Sequence, residues 1–426
     1  MHNELFSFIK KSPTAFHAVA EIAKTLENSG YSRLNENEEW LLENNGKYFV
    51  VRGGASIIAF RAKNNGSGFM TVATHSDSPC FAVKSNAQKE GKYSRLSVEG
   101  YGGMINYSWL DRPLSVAGRV SVKTESGMEE RLVNIDENLL CIPSVAIHFN
   151  RTVNEGIKLN PAVDMLPLYS GNKEKDLVCE IAKAVNAKKE DVLGFDLYAY
   201  NRDEGTLFGA ENEFILCPRL DNLECTYSAL KAFLGASDNE ETVPVLAVFD
   251  NEEIGSQTSH GAYSTFLSDT LYRIAGNRAQ YLKMLANSFT VSADNAHAFH
   301  PNHPELSDCD NAPVLNEGVV IKRTASRRYA TDGASMAFFM EICRRANAKT
   351  QVFHNRSDLA GGSTLGAITD GTVSVPTVDI GFAQLAMHSA NETAAVADVT
   401  AMTEALTAFY STAIIQKGDI IELKKN

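Results

Sequence analysis

The chain has 426 residues, 44% hydrophobic and 22% charged, with 40 Lys and Arg against 52 Asp and Glu and a formal charge of −12. This length is too great for one simple core, and the composition is that of a soluble globular protein rather than a disordered one. The acidic balance argues against nucleic acid and anionic membrane surfaces as partners, both of which need clustered Lys and Arg, and no apolar run has the length to span a bilayer.

From the N-terminus, Ser12-Pro13 can open a helix in which Phe16, Val19, Ala20, Ala23 and Leu26 recur at helical spacing until Gly30. Glu4, Lys10, Lys11 and His17 take the place of a signal-like apolar core, so the expected location is the cytoplasm. Residues 47–52 and 56–63 read as strands around Gly53-Gly54, and 69–74 as a buried strand that ends at His75. Over 81–205 the texture changes to short alternating strands, with a Gly-rich Gly100-Tyr-Gly-Gly103 and a polar helix-forming stretch at 173–187. We expect an inserted β-rich module there, interrupting a catalytic unit made of residues 1–80 and 206–426.

The βα rhythm then returns, with helices over 222–234, 263–285 and 333–346 and strands over 243–249, 289–293 and 373–380. An Ala-rich stretch, 391–414, reads as a last helix capped by Ser389 or Asn391. This alternation predicts an α/β fold, a mixed and mostly parallel sheet flanked by helices. The seven cysteines are an odd number without a CxxC pair, which fits neither a disulfide framework nor a cysteine zinc knuckle.

The most informative segment is the apolar run 243–249, which ends in Asp250-Asn-Glu252-Glu253. Adjacent glutamates leaving a strand point in different directions, so one can bind metal while the other handles a proton. A solvated acidic turn would look the same in isolation. Four further segments, however, put His or Asp at a strand end or helix entry: His75-Ser-Asp77, Arg219-Leu-Asp221, Ser292-Ala-Asp294 and Met387-His388-Ser. In an open α/β sheet ligands gather beyond the carboxyl ends of the strands. A His and carboxylate set without thiolate suits zinc, manganese or cobalt in a hydrolytic site, and its size is enough for two ions.

His75-Ser-Asp77-Ser-Pro, Pro218-Arg-Leu-Asp221-Asn-Leu, Asp250-Asn-Glu252-Glu253-Ile-Gly-Ser, Ser292-Ala-Asp294-Asn-Ala-His297-Ala and Met387-His388-Ser together resemble the M18 metallopeptidases, the aspartyl aminopeptidases. The likeness runs from the first helix to the last. It implies two divalent metal ions per subunit, zinc with manganese or cobalt as alternatives. Asp221 would bridge them, His75 and Asp294 would complete one site, and Glu253 and His388 the other. Glu252 becomes the general base that takes a proton from water and returns it to the leaving amine, and Asp77 is placed to orient the His75 ring.

Lys322 ends the apolar run Gly318-Val-Val-Ile and is followed by Arg323, Arg327, Arg328 and Tyr329. Such a cluster can be a solvated face. The resemblance instead places Lys322 in a pocket for the substrate's acidic side chain, and Tyr329 beside it is a candidate binding residue. It further implies that the inserted module pairs subunits, that His148 reaches a neighbour's active site, and that the assembly is a dodecamer built from dimers. Gly361-Gly-Ser-Thr-Leu-Gly366 lacks the lysine of a P-loop and the spacing of a dinucleotide fingerprint, so nucleotide binding is rejected. His297, His300 and His354 are expected near the pocket without an assigned role. The expected function is release of N-terminal residues, preferably Asp or Glu, from peptides. Its rivals are a neutral-residue aminopeptidase or deacylase of the same metal type, and a non-catalytic metal-binding peptide shell.

Overall fold

A computed structural model describes the chain except for Ala360, Gly418, Asp419 and Asn426. Its centre is a nine-stranded sheet in the order Ser32–Leu34, Lys47–Arg52, Ser56–Arg61, Thr242–Phe249, Gly68–His75, Phe289–Ala293, Thr377–Gly381, Val319–Lys322 and Thr350–Phe353. The four strands from Thr242–Phe249 to Thr377–Gly381 run parallel, while antiparallel neighbours at Ser56–Arg61 and Val319–Lys322 make the sheet mixed. The central strands are buried along their whole length, which is why they read as continuous apolar runs instead of alternating ones.

Helices cover both faces. One core holds Phe8, Val19, Leu223, Phe233, Phe339, Leu406 and Phe409 against Met70, Leu246 and Val291. The opposite core packs Phe266, Leu271, Met284 and Leu365 against Phe69, Ala247 and Phe249. A second sheet of six strands, all antiparallel, has the order Met128–Asn134, Leu114–Lys123, Val192–Asn201, Cys80–Lys89, Ser94–Tyr101 and Leu168–Ser170. It carries its own core around Phe81, Trp109, Val116 and Ile181.

Several boundaries differ from the sequence reading, each for a local reason. The first helix is two, His2–Lys11 and Ala15–Asn28, with Thr14 rather than Ser12 at the second N-cap. The segment 263–285 is also two helices, Phe266–Ala275 and Arg278–Leu285: Gly276 adopts φ 77° and Asn277 caps the second by accepting from the Gln280 N–H. Val373 ends the helix Leu365–Val373, so the last sheet strand starts only at Thr377. The Ala-rich stretch is helical only over Val396–Tyr410. Its first residues, Glu392–Ala395, are a strand paired with Phe214–Cys217, and Thr412–Lys417 is another strand. Tertiary pairing overrides helix propensity at both ends of that segment.

Candidate active site

The parallel strands deliver their last residues to one edge of the sheet, as the topology requires. His75 closes the strand Gly68–His75, and Asp294 follows Phe289–Ala293. Asp221 lies in the first turn of Leu220–Gly235 with non-helical φ/ψ, after Arg219 in a left-handed conformation. Glu252 and Glu253 form the short turn Glu252–Ile254 after left-handed Asn251, and His388 is left-handed as well. Three non-glycine residues with positive φ at one site are costly, and such geometry persists only where the surroundings hold it.

The five candidate ligands converge. His75 Nε2 is 3.5 Å from Asp221 Oδ1 and 3.6 Å from Asp294 Oδ1. His388 Nε2 is 3.5 Å from Asp221 Oδ2 and 3.3 Å from Glu253 Oε2. The two oxygens of Asp221 thus face two different His and carboxylate pairs. Asp221 Oδ1 and Glu253 Oε1 are buried without a hydrogen-bond donor, an arrangement that costs free energy unless a cation satisfies them. Ligand atoms of His75, Asp221 and Glu253 lie within 4.8 Å of one another, so the residues fit a divalent metal.

The electrostatics agree. Burial works against a charged His75, yet its contacts with Asp221, Asp294 and Asp77 raise its pKa well above the ordinary value. His388 is pushed up to about 10 by Asp221 and Glu253 against the opposing effect of burial. Asp221 is lowered despite its burial, because both imidazoles face it. The carboxylates thus favour positive charge between them, as a metal cation would supply. Glu252 is pushed up to about 8, first by burial and then by Asp294, Asp77 and Asp221, with His75 opposing.

Around the ligands, hydrogen bonds fix orientation. His75 Nδ1 is 3.0 Å from the carbonyl of Asp77, which holds the ring with Nε2 towards the other ligands. The Asp77 carboxylate is 3.4 Å from the same nitrogen, but its oxygens accept the backbone N–H groups of Glu252 at 3.2 Å and Glu253 at 3.1 Å. Asp77 therefore shapes the two-glutamate turn as well as facing the ring, a part the sequence reading did not give it. Tyr101 Oη donates to Asp77 Oδ2 at 2.7 Å, and the Gly103 carbonyl is 2.8 Å from His388 Nδ1. Both belong to the Gly-rich stretch noted in the sequence, although its contact with the site was not foreseen. Glu392 was missed altogether: it accepts the backbone N–H of Asp221 at 2.9 Å and of His388 at 2.7 Å. Burial and the facing Asp221 push Glu392 up to about 8, while those two N–H groups pull it down.

Lys322 is 1% exposed, with Nζ donating to the Asn295 carbonyl at 3.1 Å and lying 3.4 Å from Asp294 Oδ2. The buried ring of Tyr329 is 5.3 Å from that ammonium. Beside them a cavity of about 330 Å³ is lined by His297, His300, His354, Arg356, Gly361 and Met387, among others. A Cβ on Gly361 would come within 2.1 Å of Asn355, and one on Gly366 within 2.2 Å of Asp379, so both glycines permit close packing. His148 lies elsewhere, exposed in the irregular stretch after Ile142, and among the described residues the chain brings it to none of the ligands.

A mixed α/β sheet beside which two imidazoles and two carboxylates gather around one shared aspartate is a zinc-peptidase-like arrangement. The family model Aminopeptidase I zinc metalloprotease (M18) matches residues 8–410. A relative from Clostridium acetobutylicum named "Probable M18 family aminopeptidase 2" is 43% identical over 424 residues, covering 96% of this chain and 98% of its own. Among solved structures, a chain in the Ape4 and Nbr1 complex superposes with a TM-score of 0.92 at 34% identity, covering 96% of this chain and 84% of that one. The S. cerevisiae mApe1 dodecamer gives 0.85 at 26% identity, with coverage of 96% and 95%. The chain belongs to the M18 family of zinc aminopeptidases.

Proposed function

We propose that the protein removes N-terminal residues, preferentially Asp or Glu, from peptides at a two-metal site. His75, Asp221 and Asp294 would hold one ion, and Asp221, Glu253 and His388 the other. The supporting observation is the division of the Asp221 carboxylate between two His and carboxylate pairs. When bound, two divalent ions would supply Lewis acidity, making a water acidic near neutral pH and offsetting negative charge on the scissile carbonyl.

The chain's own residues do the rest. Glu252, buried beside the candidate ligands, accepts the water's proton and passes it to the departing amine. The Asp77 carboxylate accepts the Glu252 backbone N–H and so holds Glu252 in place. Lys322 and Tyr329 would meet an acidic side chain at the first substrate residue by charge-assisted hydrogen bonding.

Residues 1–80 and 206–426 form the catalytic unit in this reading, and 81–205 an inserted oligomerisation unit. Val145 at 62%, Ile147 at 52% and Phe149 at 86% exposure flank His148, an apolar surface suited to burial against a neighbouring subunit. The mApe1 neighbour is a dodecamer, which supports the same assembly here, with His148 serving an adjacent subunit's site.

One observation favours a second reading, a neutral-residue aminopeptidase. The Lys322 ammonium is already engaged by Asp294 and Asn295, so it has less to offer a substrate carboxylate. Release rates from matched Asp-, Glu- and Leu-initiated peptides separate the two. They are to be measured on untreated, chelated and zinc- or manganese-restored enzyme, with Lys322→Leu in parallel and its metal content checked. Metal-restored cleavage favouring Asp or Glu, lost selectively in Lys322→Leu at full metal content, is the expected result. Cleavage favouring Leu would discard the acidic pocket, and turnover untouched by chelation would discard the metal mechanism.

A further inference from the structure

Glu392 is 1% exposed, and its carboxylate is held by the backbone N–H groups of two candidate ligands that lie 167 positions apart in sequence, Asp221 at 2.9 Å and His388 at 2.7 Å. The pairing is built into the fold. Strand Glu392–Ala395 runs antiparallel to Phe214–Cys217 with Glu392 opposite Cys217, four residues before Asp221. The chain therefore brings the two segments side by side and places one carboxylate between them.

Each bond meets a need of its donor. Asp221 lies in a first helical turn, where backbone N–H groups have no intrahelical acceptor, and its φ −79° and ψ 108° depart from the helix. His388 has φ 66°, a conformation a histidine adopts only when the surroundings impose it. On the other side, Ser78 Oγ donates to the Asp221 carbonyl at 2.6 Å, and Gly103 fixes the far nitrogen of His388. Among the described residues, Glu392 is the one side chain that hydrogen-bonds the main chain of both ligands. Burying a carboxylate is costly, and an apolar residue would serve if packing alone were required.

We infer that Glu392 is a positioning residue of the metal site: it couples the bridging aspartate to the second histidine and so sets how tightly the site holds metal. This rests on the two-metal reading above. Glu392 is not placed to touch substrate, and no proton transfer is assigned to it.

Zinc binding by the full-length protein, titrated against a chromophoric chelator with Glu392→Gln and Glu392→Ala beside wild type, tests this. Folding is followed by thermal melting of the metal-free proteins. Glu392→Gln keeps the shape and one oxygen acceptor but turns an amide NH₂ towards the other N–H, so it loses one bond where Glu392→Ala loses both. The expected result is a graded weakening of zinc affinity, about 10- to 100-fold in Glu392→Gln and more in Glu392→Ala. With cobalt in place of zinc, the visible spectrum should shift in Glu392→Gln, as a purely structural role would not require. Zinc affinities and cobalt spectra that match wild type in a folded Glu392→Gln protein would overturn the inference. Fewer than two zinc ions in wild type would instead sink the two-metal reading, and the substitution's effect on the zinc that is bound would still decide for or against Glu392.

Discussion

Glu252 and Glu253 are neighbours in one short turn, yet among the described residues it is Glu253 that ion-pairs with His388, at 3.3 Å, and Glu252 pairs with neither histidine. The turn does this by putting successive side chains on different sides, with both backbone N–H groups held on the single carboxylate of Asp77. Glu252→Gln removes the proposed proton acceptor and leaves every candidate ligand in place. We expect it to retain zinc by metal analysis and to lose about 10²- to 10⁴-fold in kcat; near-normal turnover would refute the assignment. His17, half-buried in the helix Ala15–Asn28, carries a different titration. Burial lowers its pKa to about 4, below the ordinary 6.5, so the unfolded chain binds this proton more readily than the folded one. Its contribution to stability is complete above about pH 6.5 and is lost as pH falls towards 4. The melting-temperature advantage of wild type over His17→Gln should shrink over that interval, and a constant difference would show that His17 is not responsible.

Among the elements, the strand ends were the legible part. His75, Glu252, Glu253 and Asp294 follow apolar runs that could only be buried strands, and the positions of these residues after such runs are written in the sequence. Glu392 was not legible, because its partners are backbone N–H groups and its strand exists only through pairing with Phe214–Cys217. Read alone, the Ala-rich sequence after it favours a helix throughout. The break at Gly276-Asn277 did carry a sequence signal, a glycine followed by a capping asparagine, inside a pattern otherwise read as continuous helix. Close packing between strands also escapes a sequence reading. Gly381 lies beside the ligand-bearing chain, where a Cβ would fall 1.9 Å from the Asp294 carbonyl oxygen. Gly381→Ala must displace that backbone, so we expect it to lower zinc affinity and melting temperature together. Unchanged values for both would mean the strand yields without moving Asp294.

At the scale of the molecule, two sheets with separate cores meet at the candidate site. The candidate ligands lie outside the six-stranded sheet, and the surface around His148 is left apolar and open in a single chain. The sequence showed the change of texture over 81–205 because antiparallel, half-solvated strands alternate where parallel, covered ones do not. It could not show which residues of one unit touch the other, since that depends on how the sheets are set together. If His148 serves a neighbour, His148→Ala should reduce activity while the sedimentation profile stays that of the wild-type assembly. Replacing exposed Phe149 with Asp should break the assembly itself. A Phe149→Asp protein that is monomeric yet fully active would contradict the service of His148 to a neighbour, and one that still assembles would contradict the part given to Phe149.

The carbonyl of Gly103 and the hydroxyl of Tyr101 reach across from the six-stranded sheet to His388 and to Asp77. Excising 81–205 to leave a minimal enzyme would therefore strip one histidine of the group that fixes its tautomer and the two-glutamate turn of its phenol brace. A segment exchanged in from a relative could restore function only by bringing an equivalent carbonyl and phenol to the same two points. If 81–205 is a unit of its own, it cannot be traded independently of the rest, and any change on one side of this seam has to be matched on the other.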